Sequence, residues 1–257
     1  MVDTHVHIGL CDGDPGAIVE RARAAGVARI LTVGLGEDSN PGAIALAREH
    51  DEVFACVGRH PNSATGFDEA AEAALRELAA DPAVVAVGET GLDFYREGAP
   101  RADQERAFRA QIGIAREAGK PLVIHMRSGD GTERDAVAAT LALLAEEADG
   151  VSVVLHCFSA PPDRVAEAAA RGWACSFAGN VTYRRAGDLR EAARLVPDEL
   201  ILVETDSPFL APQSRRGRPN EPALVVETAR EVAAARGASY EELERQVEGN
   251  AARIFGW

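Results

Sequence analysis

The 257-residue chain contains no apolar run near the roughly 20 residues that cross a bilayer. At its start it carries Asp3, His5 and His7 where a secretory signal would show a basic and then an apolar region. No membrane association is expected, and the cytoplasm is the expected compartment. Its four cysteines (Cys11, Cys56, Cys157 and Cys175) include no CxxC pair and lie in separate segments. That speaks against a thiolate zinc site or a disulfide framework and leaves reduced, packing cysteines. Positive charge is also scarce: 27 Lys and Arg against 41 Asp and Glu give a net charge of -14. This argues against a broad electrostatic surface for nucleic acid, since such surfaces neutralise phosphates with basic residues. A local one is not, and "RRGR" at Arg215 to Arg218 reads either as a phosphate clamp or as a solvated loop. No GxSxG elbow and no cysteine–histidine spacing point to covalent catalysis.

What is present is an ordinary globular balance, 46% hydrophobic and 26% charged. Eight short β-branched or apolar runs recur: "VDTHVH", "RILTVG", "VFACVG", "VVAVGE", "PLVIH", "VSVVLH", "WACSFAG" and "LILVETD". Between them lie Ala-, Glu-, Arg- and Leu-rich stretches with apolar residues at helical spacing, such as "DEAAEAALRELAA" and "QERAFRAQIGIAREAG". Gly26 and Gly119 follow two of these runs, where a left-handed cap ends a helix. After the eighth strand, helices are predicted over about 222–236 and 239–254. Strand-then-helix repeated eight times predicts a parallel sheet closed as a TIM (β/α)8 barrel, with residues 1–257 forming one domain. An open doubly wound sheet is the competing architecture, but no GxGxxG turn follows an early strand.

The ionisable residues gain meaning from this parse, because such barrels carry their chemistry where strands end and loops begin. In "DTHVH" a period of two sends Asp3, His5 and His7 to one face, so the two imidazoles either satisfy each other or bind one ion. His60 ends strand three, Glu89 and Asp93 end strand four, His125 strand five, His156 strand six, and Glu204 and Asp206 strand eight. Five of the six histidines thus fall at one rim, and only His50, read as a surface residue, falls elsewhere. Histidine and carboxylate without cysteine suit zinc, manganese or magnesium, with open positions for water. Enough donors are present for two divalent ions. Two such ions acidify a water and stabilise charge on an attacked centre, which means hydrolysis.

With "DTHVH", "GRHP", "GETGLDFY", "KPLVIHMR", "LHCFS", "VETDSPFLAP", "RGRPNEP" and "GNAARIF", the chain resembles TatD-type deoxyribonucleases over its whole length. These belong to the metal-dependent amidohydrolase superfamily. The resemblance implies a phosphodiesterase acting on DNA, as a 3′ to 5′ exonuclease on single-stranded ends. It implies one ion on His5, His7, Glu89 and Asp206, and a second on Glu89, His125 and His156, with Asp206 orienting or deprotonating the attacking water. His60 would contact the scissile phosphate or a third ion, or be a loop histidine beside Pro61. Arg127 would donate to phosphate or pair with a rim carboxylate. Asp93 would line the pocket with Tyr95 or hold a histidine, and Glu204 likewise. Arg216 and Arg218 would touch substrate or anchor their loop, with Asn220 and Glu221 structural. The chain departs from the family pattern at Asn62, Ser128 and Ala160, where histidine, an acidic residue and glycine are common.

Two other readings stand beside this one. The same scaffold serves lactonases, phosphotriesterases and amide hydrolases, and the acidic surface and few stacking aromatics (Phe94, Tyr95, Phe158, Tyr183, Phe209) suit a small substrate. A metal-stabilised binding protein without turnover is the second, and the acid at Asp206 argues against it. No segment reads as an association element, so a monomer is expected.

Overall fold

The computed structural model describes residues 1–96 and 98–257. Eight parallel strands follow one another in chain order around a TIM barrel: β1 (Val2–Val6), β2 (Arg29–Val33), β3 (Val53–Val57), β4 (Val84–Asp93), β5 (Leu122–Arg127), β6 (Val153–Leu155), β7 (Ala174–Phe177) and β8 (Ile201–Val203). The ring is drawn shut where Thr4 Oγ1 donates to Val203 O (3.0 Å) and a parallel bridge joins Val6 to Ser207. Strands of a parallel barrel are covered on both faces, which is why they read as continuous Val, Ile and Leu runs rather than alternating ones.

Nine helices are described around the sheet: α1 (Pro15–Ala24), α2 (Asn40–Glu49), α3 (Glu69–Ala79), α4 (Arg101–Ala118), α5 (Ala136–Glu147), α6 (Val165–Ala170), α7 (Gly187–Leu195), α8 (Val225–Arg236) and α9 (Tyr240–Phe255). Short polar side chains start them. Asp14, Asp68 and Asp135 accept from the backbone N–H three residues on, and Ser239 forms a capping box with Glu242. Gly26 and Gly119 both take the positive φ expected of them, +87° and +64°. Where 222–236 is expected to be helical, the chain first makes a 3-10 turn (Pro222–Leu224) and only then enters α8.

One strand departs from expectation in a way that shapes the site. Asp93 ends β4 as expected, but Glu89 does not: it lies four residues inside the strand, whose register against β5 shifts between Val87 and Thr90. Gly91 makes the continuation possible, since a Cβ at its φ of +134° would lie 2.0 Å from His125 O. Glu89 therefore lies within the barrel wall instead of at its edge. Among the described residues, no helix is long and apolar enough to cross a membrane.

Two of the thiols are core packing groups, while Cys157 lines the cavity at the strand ends. All four cysteines are free; Cys56 and Cys175 are buried, and burial pushes the Cys11 and Cys175 thiols up to about 12.

Candidate metal centre

The strand ends aim their side chains into a cavity of about 1240 Å³ at the C-terminal mouth of the barrel. His5 lies within β1 and His7 just beyond it, and their Nε2 atoms are 3.3 Å apart. Glu89 Oε2 is 3.5 Å from His5 Nε2 and 3.6 Å from His7 Nε2. Asp206 Oδ1 is 4.0 Å and 3.6 Å from the same two nitrogens. On the other side of the glutamate, Oε1 lies 2.6 Å from His125 Nδ1, 3.2 Å from His156 Nε2 and 3.7 Å from His60 Nε2. Glu89 thus turns one oxygen to each of two groups of donors.

These spacings test whether a cation suits the site. Four ligands held tetrahedrally at about 2.1 Å from an ion stand about 3.4 Å from one another. His5, His7 and Asp206 offer atoms 3.3 to 4.0 Å apart, so these three fit in both type and spacing, and Glu89 Oε2 stands 3.5 and 3.6 Å from the two histidines. On the Oε1 side they fit in type, with His125 in direct hydrogen-bond contact with the carboxylate.

Hydrogen bonds behind the rings settle which nitrogen is free. His7 Nδ1 lies 2.9 Å from Val33 O, which can only accept, so Nδ1 carries the proton and Nε2 offers a lone pair. His156 is held the same way by Glu204 Oε1 at 2.9 Å, an oxygen that also accepts from Cys157 N–H. His5 is fully buried, its Nδ1 has no partner, and its ring stacks on His156 at 3.7 Å. His60 is the opposite case. Its Nδ1 accepts from Asn62 N–H at 3.1 Å, so the neutral ring carries its proton on Nε2 and points a donor into the cavity. Burial lowers His60 to about 4, which keeps it neutral.

Burial works against charge on Glu89, but His156 and the hydrogen bonds from His125 and His156 hold the carboxyl well below the usual range. Asp206, partly open to the cavity, is likewise lowered, by His7, His156 and His5. Both are therefore anionic, the state in which a carboxylate binds metal. Asp93 Oδ2 lies 3.3 Å from His125 Nε2 and accepts from Asn62 Nδ2 at 3.0 Å, while Oδ1 accepts from the Tyr95 and Arg96 N–H groups. This aspartate therefore holds the far side of His125, and Asn62 holds the aspartate.

Asp206 sits on a backbone of φ +53°, a left-handed conformation that aspartate tolerates. Its N–H donates to His5 O at 2.9 Å, and His7 N–H donates to Ser207 O at 2.8 Å, so the β8 loop is laced to β1. The fully buried Asp3 completes the lacing: Oδ1 accepts from Thr205 N–H (2.9 Å) and Oδ2 lies 2.6 Å from Thr205 Oγ1. Burial pushes the Asp3 carboxyl up to about 8, so below that pH it serves as a hydrogen-bonding acid rather than a further charge near the cluster. The sequence reading sets Asp3 on the histidine face without giving it this partner, because the partner lies 202 residues away.

The residues expected at the rim come together except for the two loop arginines, Arg216 and Arg218. Arg127 lines the cavity and stacks on Tyr95, its Cζ 4.0 Å from the ring centroid. Arg218 does not line the cavity: it lies exposed on the loop after β8, and its N–H donates to Arg215 O. Arg216, also exposed, packs on Tyr183. The buried residue of that loop is Asn220, whose Nδ2 donates to Thr205 O and Phe209 O. Glu221 forms an ion pair with Arg21. "RGRPNEP" therefore anchors the loop through Asn220 and Glu221, while its arginines face solvent.

A parallel barrel whose strand ends converge histidines and carboxylates on one cavity defines a metal-dependent hydrolase. The family of TatD related DNases matches residues 2–256, and the chain belongs to that family. It is 40% identical over 267 residues to TatD of Mycobacterium tuberculosis, an uncharacterized metal-dependent hydrolase, covering 100% of this chain and 98% of that one. It is 37% identical over 250 residues to the 3′-5′ ssDNA/RNA exonuclease TatD of Cronobacter sakazakii, covering 95% and 92%. The crystal structure of YJJV, a TatD homolog from Escherichia coli K12, shares the fold, with a TM-score of 0.92 at 24% identity over 100% and 98% of the two chains. Family and site together make this protein a metal-dependent hydrolase acting on ester bonds.

Proposed function

We propose that the protein is a deoxyribonuclease that removes nucleotides from the 3′ end of single-stranded DNA, using two divalent cations. The observation that carries this reading is the two-sided Glu89, with His5 and His7 facing one oxygen and His125 and His156 facing the other, and with Asp206 beside the same His5 and His7. His5, His7, Glu89 and Asp206 would hold one ion, and Glu89, His125 and His156 the other. Bound magnesium, manganese or zinc supplies concentrated positive charge that acidifies a water and offsets charge developing on a phosphate.

The chain's own residues supply the rest. Asp206 is the ligand carboxylate most open to the cavity, 14% exposed against 3% for Glu89, and it can reach water as well as an ion. It orients the attacking water and takes its proton as the oxygen bonds to phosphorus and the bond to the departing 3′ oxygen breaks. His60 donates its Nε2 proton to a phosphate oxygen, the role that its Asn62 hydrogen bond leaves it. Arg127, braced by Tyr95, reaches phosphate from the cavity wall. Asp93 and Glu204 fix the orientation of His125 and His156.

End-labelled single-stranded DNA incubated with metal-stripped protein, with magnesium, manganese or zinc added back, tests the reading. Stepwise shortening from the 3′ end that appears only with metal is expected. Intact DNA with every metal, alongside hydrolysis of a simple phosphotriester or lactone, would keep the hydrolase and reject the substrate.

A further inference from the structure

We propose that Phe209 is a nucleobase-stacking platform at the mouth of the metal cavity, which selects an unpaired strand end; this rests on the nuclease reading above. Phe209 lines the cavity, its side chain is 46% exposed, and its ring centroid lies 6.1 Å from that of His7 with the planes at 70°. Large aromatic rings gain most from burial, so one held open beside a catalytic cluster has a face to offer.

The ring is exposed without being loose. Phe209 N–H donates to Asp206 O at 2.9 Å, and its carbonyl accepts from the buried Asn220 Nδ2, which also donates to Thr205 O at 3.0 Å. The same short segment therefore fixes Asp206 and Phe209 relative to each other. The Phe209 ring stands 6.1 Å from that of His7, a distance of the order of one nucleotide from the cluster.

The other aromatics of the region are buried or carry a guanidinium, although Tyr95 is itself 55% exposed. Phe94 and Phe158 are 8% and 1% exposed. Tyr95 carries the Arg127 guanidinium, and Tyr183 carries that of Arg216 while donating its hydroxyl to Ala211 O. Among the described residues, no guanidinium and no aromatic ring lies flat on Phe209. Stacking on such a platform tolerates any base, because every base has a π-face, but it needs that face uncovered. A base inside a duplex has both faces covered by its neighbours, so the platform favours single strands without reading their sequence.

The test compares the metal-loaded wild type, Phe209→Ala and Phe209→Trp on a single-stranded oligonucleotide and on the same strand with its last two nucleotides abasic. On the intact strand, Phe209→Ala is expected to raise KM about tenfold with kcat nearly unchanged, and Phe209→Trp to retain the wild-type KM. On the abasic strand, all three proteins should share one raised KM. An equal loss for Phe209→Ala on both strands would overturn the proposal, because the ring would then be acting on the site and not on a base. Cleavage of neither strand by the wild type would reject the nuclease reading, and the stacking inference with it.

Discussion

Glu89→Gln is expected to reduce kcat/KM by far more than the roughly 100-fold that losing an outer partner of a metal ligand costs. Glutamine keeps the size and one oxygen of the side chain but removes the charge that both donor groups share. Glu89 Oε2 is 3.5 Å from His5 Nε2, and Oε1 is 2.6 Å from His125 Nδ1, so no other residue near either group can replace it for both. The loss should be visible without any substrate. A cation that binds only the folded protein stabilises it by about 2.7 kcal/mol at a hundred times its Kd. For a chain of this size that is a rise in Tm of roughly 5–10 °C. Wild type should show the rise on adding manganese or zinc, and Glu89→Gln should show little of it. A variant that kept both activity and metal-induced stabilisation would put the ions elsewhere.

Asp206→Asn separates binding of the ion from activation of the water. Asparagine still presents an oxygen toward His7 and the cavity, but it cannot take a proton, so kcat should fall by roughly 10²- to 10⁴-fold with KM little changed. The Asp206 backbone is fixed by its N–H to His5 O, which the substitution leaves intact. Much of the metal-induced rise in Tm should therefore survive, in contrast to Glu89→Gln. If kcat held while KM rose, Asp206 would be serving substrate or metal affinity, and another group would be the proton acceptor.

The barrel was legible because its strands are runs of Val, Ile and Leu separated by amphipathic helices with Asp and Ser caps and Gly ends, and each signal is local. The convergence of His5, His7, His125, His156, Glu89 and Asp206 on one cavity was legible because barrel topology sends every strand end to the same mouth. The structure added relations between segments far apart in sequence. The partner of Asp3 is Thr205, and that of His156 Nδ1 is Glu204, contacts that no spacing rule reveals. The register shift of β4 against β5 turns on Gly88 and Gly91, which act as points of close approach to β5, a relation between strands that the local sequence does not carry. "RRGR", left open between a phosphate clamp and a solvated loop, is the second. Its charge invites a phosphate, but the buried Asn220 ties the loop down and leaves Arg218 facing solvent. The role of His60 depends on a single backbone hydrogen bond from Asn62, which decides its tautomer and can be seen only in three dimensions.

The account rests on one carboxylate shared by two cations, and anomalous diffraction from crystals grown with manganese measures that directly. Two peaks are predicted, one enclosed by His5, His7, Glu89 and Asp206 and one by Glu89, His125 and His156. A single peak, or peaks that leave Glu89 outside the coordination of either ion, would contradict it.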